Sequence, residues 1–323
     1  METSQTAGAE PGAKKHIWAV LRWLGTLAGF GYIAWVVEDV DTLMSAVSRT
    51  PPIYFVGAVF LIALNLVVGS VRWRMLLRTY GAAEVPRLGR LVYLYLVGFF
   101  YNSFLPGAVG GDVVRGVVTR EAFGDDGMTS AVTVVLVERA LGLVGLICLS
   151  AGALWISPLP NVPSMGGWAL LGLLGACGGI LAVAQGRRLG RWLPGRLGSL
   201  AASLPVIRRP LGFVGVWLCS VLIHGLVGLA GFLFLESQLA TVTLGDALVI
   251  VPVATATAFL PFTVGGAGAR EAAFIVLCGT ALGMNASSAT AASLMLWGSQ
   301  LTVAAVGGLL QLLYPLSTET ASE

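Results

Sequence analysis

Apolar residues fill this chain in long blocks, and the polar positions between the blocks are few. Six blocks reach the roughly 20 residues that a helix needs to cross a bilayer. They are Ile17–Val37, Pro52–Val71, Met128–Ile156, Met165–Ala184, Pro210–Leu235 and Ala286–Tyr314. Two further apolar legs, Leu88–Leu105 and Asp246–Leu260, run into a turn rich in Pro and Gly instead of a polar loop. The pattern predicts an all-α polytopic membrane protein. It leaves open whether those two legs cross the bilayer or turn back.

Arginine placement decides between the two. One cluster follows the second block (Arg72, Arg74, Arg78, Arg87, Arg90), and another lies between Arg187 and Arg209, with Arg188, Arg191, Arg196 and Arg208. The segments Glu38–Asp41, Ser157–Ser164 and Glu236–Asp246 carry almost no basic residues. Cytoplasmic loops hold the excess of Lys and Arg, so both clusters belong in the cytoplasm and an even number of crossings separates them. Met128–Ile156 and Met165–Ala184 already supply two. The leg before the first turn must therefore come back to its own side. Each half then holds three crossings and one re-entrant hairpin, and like hairpins point in opposite directions. That is an inverted-topology repeat, an architecture of many secondary transporters.

The corresponding layout is a disordered cytoplasmic tail over 1–15 and a first repeat over 16–160, with its hairpin near 88–120. A span over 161–185 opens the second repeat, and a basic interfacial loop covers 186–209. The rest of the second repeat runs over 210–315, with its hairpin near 246–283, and a C-terminal tail covers 316–323. Both termini are expected on the cytoplasmic side of a bacterial inner membrane.

The turns themselves are copies of one another. FLPGAVGGDVVR (Phe104–Arg115) returns as FLPFTVGGAGAR (Phe259–Arg270), every matched residue displaced by 155 positions. Pro106 and Pro261 end the incoming leg, because proline lacks an N–H and disfavours helix in the residue before it. Gly110-Gly111 and Gly265-Gly266 permit a tight turn of positive φ and close approach by another group. A helix restarting there aims its N-terminal amides at the turn. Arg115 and Arg270 follow about one turn later. Together these parts make an anion-attracting pocket at membrane depth, and a lipid phosphate fits a guanidinium fork. The plainer alternative is that Pro and Gly only punctuate helices, while each arginine snorkels or pairs with a nearby acid.

Composition agrees with a membrane protein: 56% of residues are hydrophobic and 11% charged, with a net charge of only +3. Glycine is abundant at 43 residues, as expected where helix backbones approach closely in lipid. Cys148, Cys177, Cys219 and Cys278 all lie in apolar blocks without metal-ligand spacing, and read as packing residues. With His16 and His224 the only histidines, a histidine-rich metal site is not expected.

Glu138-Arg139 sits about ten residues inside a crossing, where charges face a partner or a cavity. A structural salt bridge and a substrate contact both fit it. Asp112 can cap the restarting helix. Glu271 can neutralise an arginine or titrate as a coupling proton site. His224 reads as a hydrogen-bonded packing histidine, and Asn65 and Gln300 as glue between helices. The Arg187–Arg209 segment suits anionic headgroups and not nucleic acid. No nucleotide, nucleophile-elbow, zinc or dinucleotide signature is present, so no cofactor is expected and ATP hydrolysis by the chain itself is not.

Three stretches, LVGFFYNSFLPGAVGGDVVR (Leu96–Arg115), VERALGL (Val137–Leu143) and FLPFTVGGAGAREAAF (Phe259–Phe274), resemble the lysylphosphatidylglycerol synthase transmembrane-region family of flippase-like proteins. The resemblance runs from about Ile17 to Tyr314. It matches Asn102, Gly110, Gly111, Asp112 and Arg115, then Glu138, Arg139 and Gly142, then Gly266, Gly268, Arg270 and Glu271. It implies movement of lipids between leaflets. The chain ends at Glu323, so the fused synthase of the best-known members is not expected here. Standalone relatives are associated with glycolipid, polyprenyl-phosphate or hopanoid pathways.

The leading expectation is thus a flippase or scramblase for a phosphate-containing lipid, with membrane lipids as partners and a separate lipid synthase or glycosyltransferase as a further one. One rival is a membrane enzyme of lipid or glycolipid modification, for which Glu121, Asp125 and Asp126 are the only local acidic group. The other rival is a non-transporting accessory subunit of a lipid synthase.

Overall fold

The computed structural model describes residues 40–104, 110–120, 122–123, 127–156, 165–189, 210–259 and 266–315, with a few isolated positions besides. The expected first span, both tails, most of the basic loop and the tips of the two repeated turns lie outside the described residues, and Pro106, Pro261, Gly265, Glu121, Asp125 and Asp126 with them. The described chain is all-α: α1 (Val40–Ser48), α2 (Pro52–Thr79), α3 (Leu88–Phe104), α4 (Gly110–Thr119), α5 (Gly127–Ile156), α6 (Met165–Leu189), α7 (Pro210–Gln238), α8 (Leu244–Thr255), α9 (Ala269–Leu282) and α10 (Ala286–Leu313). Within these, α2, α5, α7 and α10 are long and apolar enough to cross a membrane. This is a multi-pass membrane protein.

Helix α2 shows why. Pro52 starts it, at a position where the missing N–H costs nothing. It buries Ala58, Ile62 and Leu66 yet exposes Ile53, Val56 and Phe60. A helix apolar on both faces belongs in hydrocarbon, not in water. It also runs past the expected end at Val71, because Trp73, Leu76 and Leu77 are wholly buried and nothing between Val71 and Thr79 breaks a helix. Gly81, at φ 80°, ends it after Tyr80. Arg72, Arg74 and Arg78, expected in a cytoplasmic loop, therefore ride on the helix.

Helices α2 and α7 pack more extensively than any other pair. Along their seam Thr50 bonds Ser237, the Asn65 amide donates to the Ile223 carbonyl at 2.7 Å, and Arg72 donates to Ser220 at 3.1 Å. Partner numbers fall as α2 advances, so the two run antiparallel. They are also the corresponding helices of the two halves. An antiparallel pair of equivalents is what an inverted repeat requires.

The remaining contacts obey the same exchange. The first incoming leg, α3, rests on α10, and its counterpart α8 rests on α5. One buried core gathers around Phe234, Ile250, Phe274 and Leu296, and another around Trp73, Leu91, Leu141 and Val216. They occupy opposite ends of the α2–α7 pair.

Both repeated turns join legs that pack against each other, α3 on α4 and α8 on α9. The ten residues of α4 rise only about 15 Å, half the hydrocarbon thickness. In the first hairpin the legs touch backbone to backbone: a Cβ on Gly111 would lie 2.2 Å from the Gly98 carbonyl oxygen. A Cβ on Gly307 of α10 would lie 2.1 Å from the Leu96 carbonyl oxygen, and Gly308 is seated under Phe100. The Gly110-Gly111 pair, expected to turn the chain, opens α4 instead. Positive φ occurs in the second hairpin, at Gly266 (80°) and Gly268 (81°).

Candidate functional site

Helix α4 begins at Gly110, which places Asp112 and Arg115 one turn apart on one face. Opposite them, α5 presents Glu138 and Arg139, and α2 presents Arg72. The side chains form an alternating chain of charges. Arg72 Nη2 donates to Glu138 at 2.7 Å, and Arg115 Nη1 lies 3.0 Å from Glu138 Oε2. Arg115 Nη2 also pairs with Asp112, to which Arg139 Nε donates at 2.6 Å. The order is Arg72–Glu138–Arg115–Asp112–Arg139, and each carboxylate is shared by two guanidiniums.

Aromatic side chains close the cluster. The Tyr95 hydroxyl on α3 donates to Glu138. Its ring lies 4.2 Å from the Arg115 guanidinium carbon and the Trp73 ring lies 5.0 Å away, so the cation faces two π-clouds. Glu138 is 2% exposed and Arg115 8%. Charges this deep persist only when paired and hydrogen-bonded, since the desolvation cost is several kcal/mol per ion. Among the described residues the chain holds three guanidiniums and two carboxylates.

The second hairpin solves the same problem with fewer parts. Arg270 and Glu271 are neighbours at the start of α9, 3% and 1% exposed. Arg270 Nε donates to Glu271 Oε1 at 2.9 Å, and Ser293 of α10 donates to the same oxygen at 3.2 Å. The other oxygen of Glu271 accepts from the Gly268 amide at 2.7 Å, tying down the helix start. Trp297 places its ring 5.2 Å from Arg270. One cation meets one anion here, and the pair is closed.

The two arginines thus sit in built ion pairs, the plainer of the two sequence readings. The turn amides are occupied as well: Gly111 donates to Asn102 Oδ1 at 2.8 Å, which straps α3 to the start of α4. Of the site residues read from sequence, the structure unites Asn102, Gly111, Asp112, Arg115, Glu138 and Arg139 in one place, and Gly266, Gly268, Arg270 and Glu271 in another. Gly110 is placed by its backbone alone. No described residue belongs to both clusters, so the expected single pocket at which the hairpins converge is replaced by two separate ones. His224 bonds the Gly142 carbonyl at 2.9 Å, as a packing histidine does.

Sequence reasoning missed Arg72, Tyr95, Trp73, Ser293 and Trp297. For Arg72 the signal was available, since the apolar pattern of α2 continues through Trp73, Leu76 and Leu77.

Residues 22–308 match the pattern that describes the lysylphosphatidylglycerol synthase TM region. The chain belongs to that family. A UPF0104 membrane protein of Methanothermobacter thermautotrophicus is 33% identical over 106 residues, or 32% of this chain. The match spans about a quarter of that relative's length, 26%. Family membership covers nearly all of the charged and glycine positions above, since both hairpins and α5 fall inside the matched range.

Proposed function

We propose that this protein moves a phosphate-containing lipid, such as a phospholipid, an aminoacyl-phospholipid or a polyprenyl-phosphate-linked lipid, between the leaflets of a bacterial cytoplasmic membrane. The observation that carries this reading is the pair of inversely related hairpins, each holding a buried arginine cluster inside a bundle of apolar helices. Buried ionisable groups at membrane depth mark polar pathways. Interrupted helices related by inversion are how transporters place such a pathway between leaflets. A headgroup would pass along the hairpin legs while its acyl chains stay in lipid.

The family description supports a lipid cargo, because it names the membrane part of a lipid synthase. A separate synthase supplying the cargo is a natural partner. With no nucleotide motif in the sequence, the driving force in this reading is the lipid gradient or a coupled ion.

The test is translocation of fluorescently labelled lipid in proteoliposomes of the purified full chain. Wild type should exceed protein-free vesicles, and Arg115→Gln should fall by at least about tenfold, the worth of one charge-assisted hydrogen bond. A wild-type rate equal to that of empty vesicles overturns the reading. Chemical turnover of a lipid by the pure protein would favour an enzyme instead.

A further inference from the structure

The two clusters differ in one respect that the repeated motif conceals. Their arginines are equivalent in sequence, but the charge around them is not. In the second hairpin Arg270 and Glu271 balance, and every oxygen of Glu271 is occupied. In the first, the described groups leave one positive charge over, inside a bundle where an uncompensated ion is costly.

Two further observations point the same way. The buried Arg72 Nε and Trp73 Nε1 donors have no acceptor within the protein. And the chain grades from enclosed to open: the side chain of Arg115 is 9% exposed, that of Arg139 33%. The cluster has surplus charge, unmet donors and an open end.

Its connectivity adds a consequence. Glu138 keeps Arg72 and Tyr95 if Arg115 leaves, and Asp112 keeps Arg139. Arg115 is therefore the one guanidinium that can turn to a new partner without stranding a carboxylate. Arg270 has no such freedom, because its departure strands Glu271.

We infer that the first-hairpin cluster is a receptor for one singly charged oxyanion, the phosphodiester of a lipid headgroup, taken at Arg139 and Arg115, and that the second hairpin is a closed copy that takes no anion. A monoanion brings the cluster to neutrality. A phosphomonoester, with its second charge, overshoots, and a zwitterion leaves the surplus in place. This inference rests on the lipid reading above and narrows it to a charge class.

The experiment uses the full chain in nanodiscs of phosphatidylcholine doped with phosphatidylglycerol, phosphatidic acid or phosphatidylethanolamine, and measures the lipid retained by the protein after delipidation. Phosphatidylglycerol should be retained at least about tenfold over phosphatidylethanolamine, and Arg139→Gln should abolish that preference, by the same charge-assisted bond. Arg139→Lys, which keeps the charge and loses the fork, should retain part of it. The Arg270→Gln, Glu271→Gln double variant, which removes both members of the closed pair, should keep the preference whole.

Competition separates the sources of the anion. Millimolar inorganic phosphate should not displace the lipid; displacement would reassign the cluster to a free anion. Equal retention of all three lipids, or loss of preference in the double variant but not in Arg139→Gln, overturns the inference. Phosphatidylglycerol binding without translocation would sink the transport reading alone. Translocation with no charge preference and no effect of Arg139→Gln would sink this inference alone.

Discussion

Glu138 and Ser293 hold the same station in the two halves of the molecule. Each lies 23 residues after the arginine of its own hairpin and within reach of it, 3.2 Å from Arg115 and 3.4 Å from Arg270. In one half that station carries the acid. In the other the acid sits beside the arginine on α9, as Glu271, and the station keeps only a hydroxyl. Repetition has conserved a contact while its charge has changed place.

Substituting Ser293→Glu should therefore crowd two carboxylates around Arg270. The uncompensated buried charge should destabilise the protein by about 3–5 kcal/mol. Adding Glu271→Gln restores one anion to one cation, in the arrangement of the first half, and should recover most of the loss. Thermal unfolding in detergent reads the cycle. Additive effects of the two changes would show that the stations are not interchangeable.

Within the first cluster, removing a cation and removing an anion should differ. Arg115→Gln leaves each carboxylate with an arginine and should cost about 1–2 kcal/mol, mainly lost π contacts and hydrogen bonds. Glu138→Gln leaves three guanidiniums around one acid and should cost about 3–5 kcal/mol. The melting temperatures should rank wild type above Arg115→Gln above Glu138→Gln. The opposite ranking of the two variants would contradict the alternating chain.

Gly111→Ala drives a methyl group into the Gly98 carbonyl, which neither leg can move aside without parting the hairpin. The expected loss is about 1–3 kcal/mol, as for overpacking elsewhere. Gly116 offers an internal control on the same helix, because a Cβ there meets Val135 at an ordinary 3.7 Å. Gly116→Ala should be neutral or slightly stabilising. Equal destabilisation by both substitutions would trace the effect to helix α4 as a whole and not to the contact.

Asn102→Ala removes the acceptor for the Gly111 amide. A lost helix cap of this kind costs about 1 kcal/mol. Hydrogen exchange offers the direct reading: the Gly111 amide should lose protection in the variant while mid-helix amides of α5 keep theirs. Unchanged protection at Gly111 would mean that another group takes the proton's place.

Much of this was legible in the sequence because the bilayer enforces it. Long apolar blocks fixed α2, α5, α7 and α10 to within a few residues at most ends. The duplicated turn revealed the inverted repeat, which the antiparallel α2–α7 seam bears out. What hydropathy hid was charge inside a helix. Arg72 reads as a loop residue after Val71, yet packing of Trp73, Leu76 and Leu77 carries the helix onward and takes the guanidinium inside. Likewise the motif names Arg115 and Arg270 as twins. Only the fold reveals which carboxylates face each, because Glu138, Glu271 and Ser293 reach them from different directions.

The seating of the hairpins has a mechanical consequence. The first leans on α10 through bare backbone at Gly307, and α10 bears the Ser293 and Trp297 that grip Arg270. The second leans on α5, which bears Glu138. Each loop is thus braced against the pillar that anchors its counterpart's arginine. Such a cross-brace cannot be tilted at one corner without shifting load to the other.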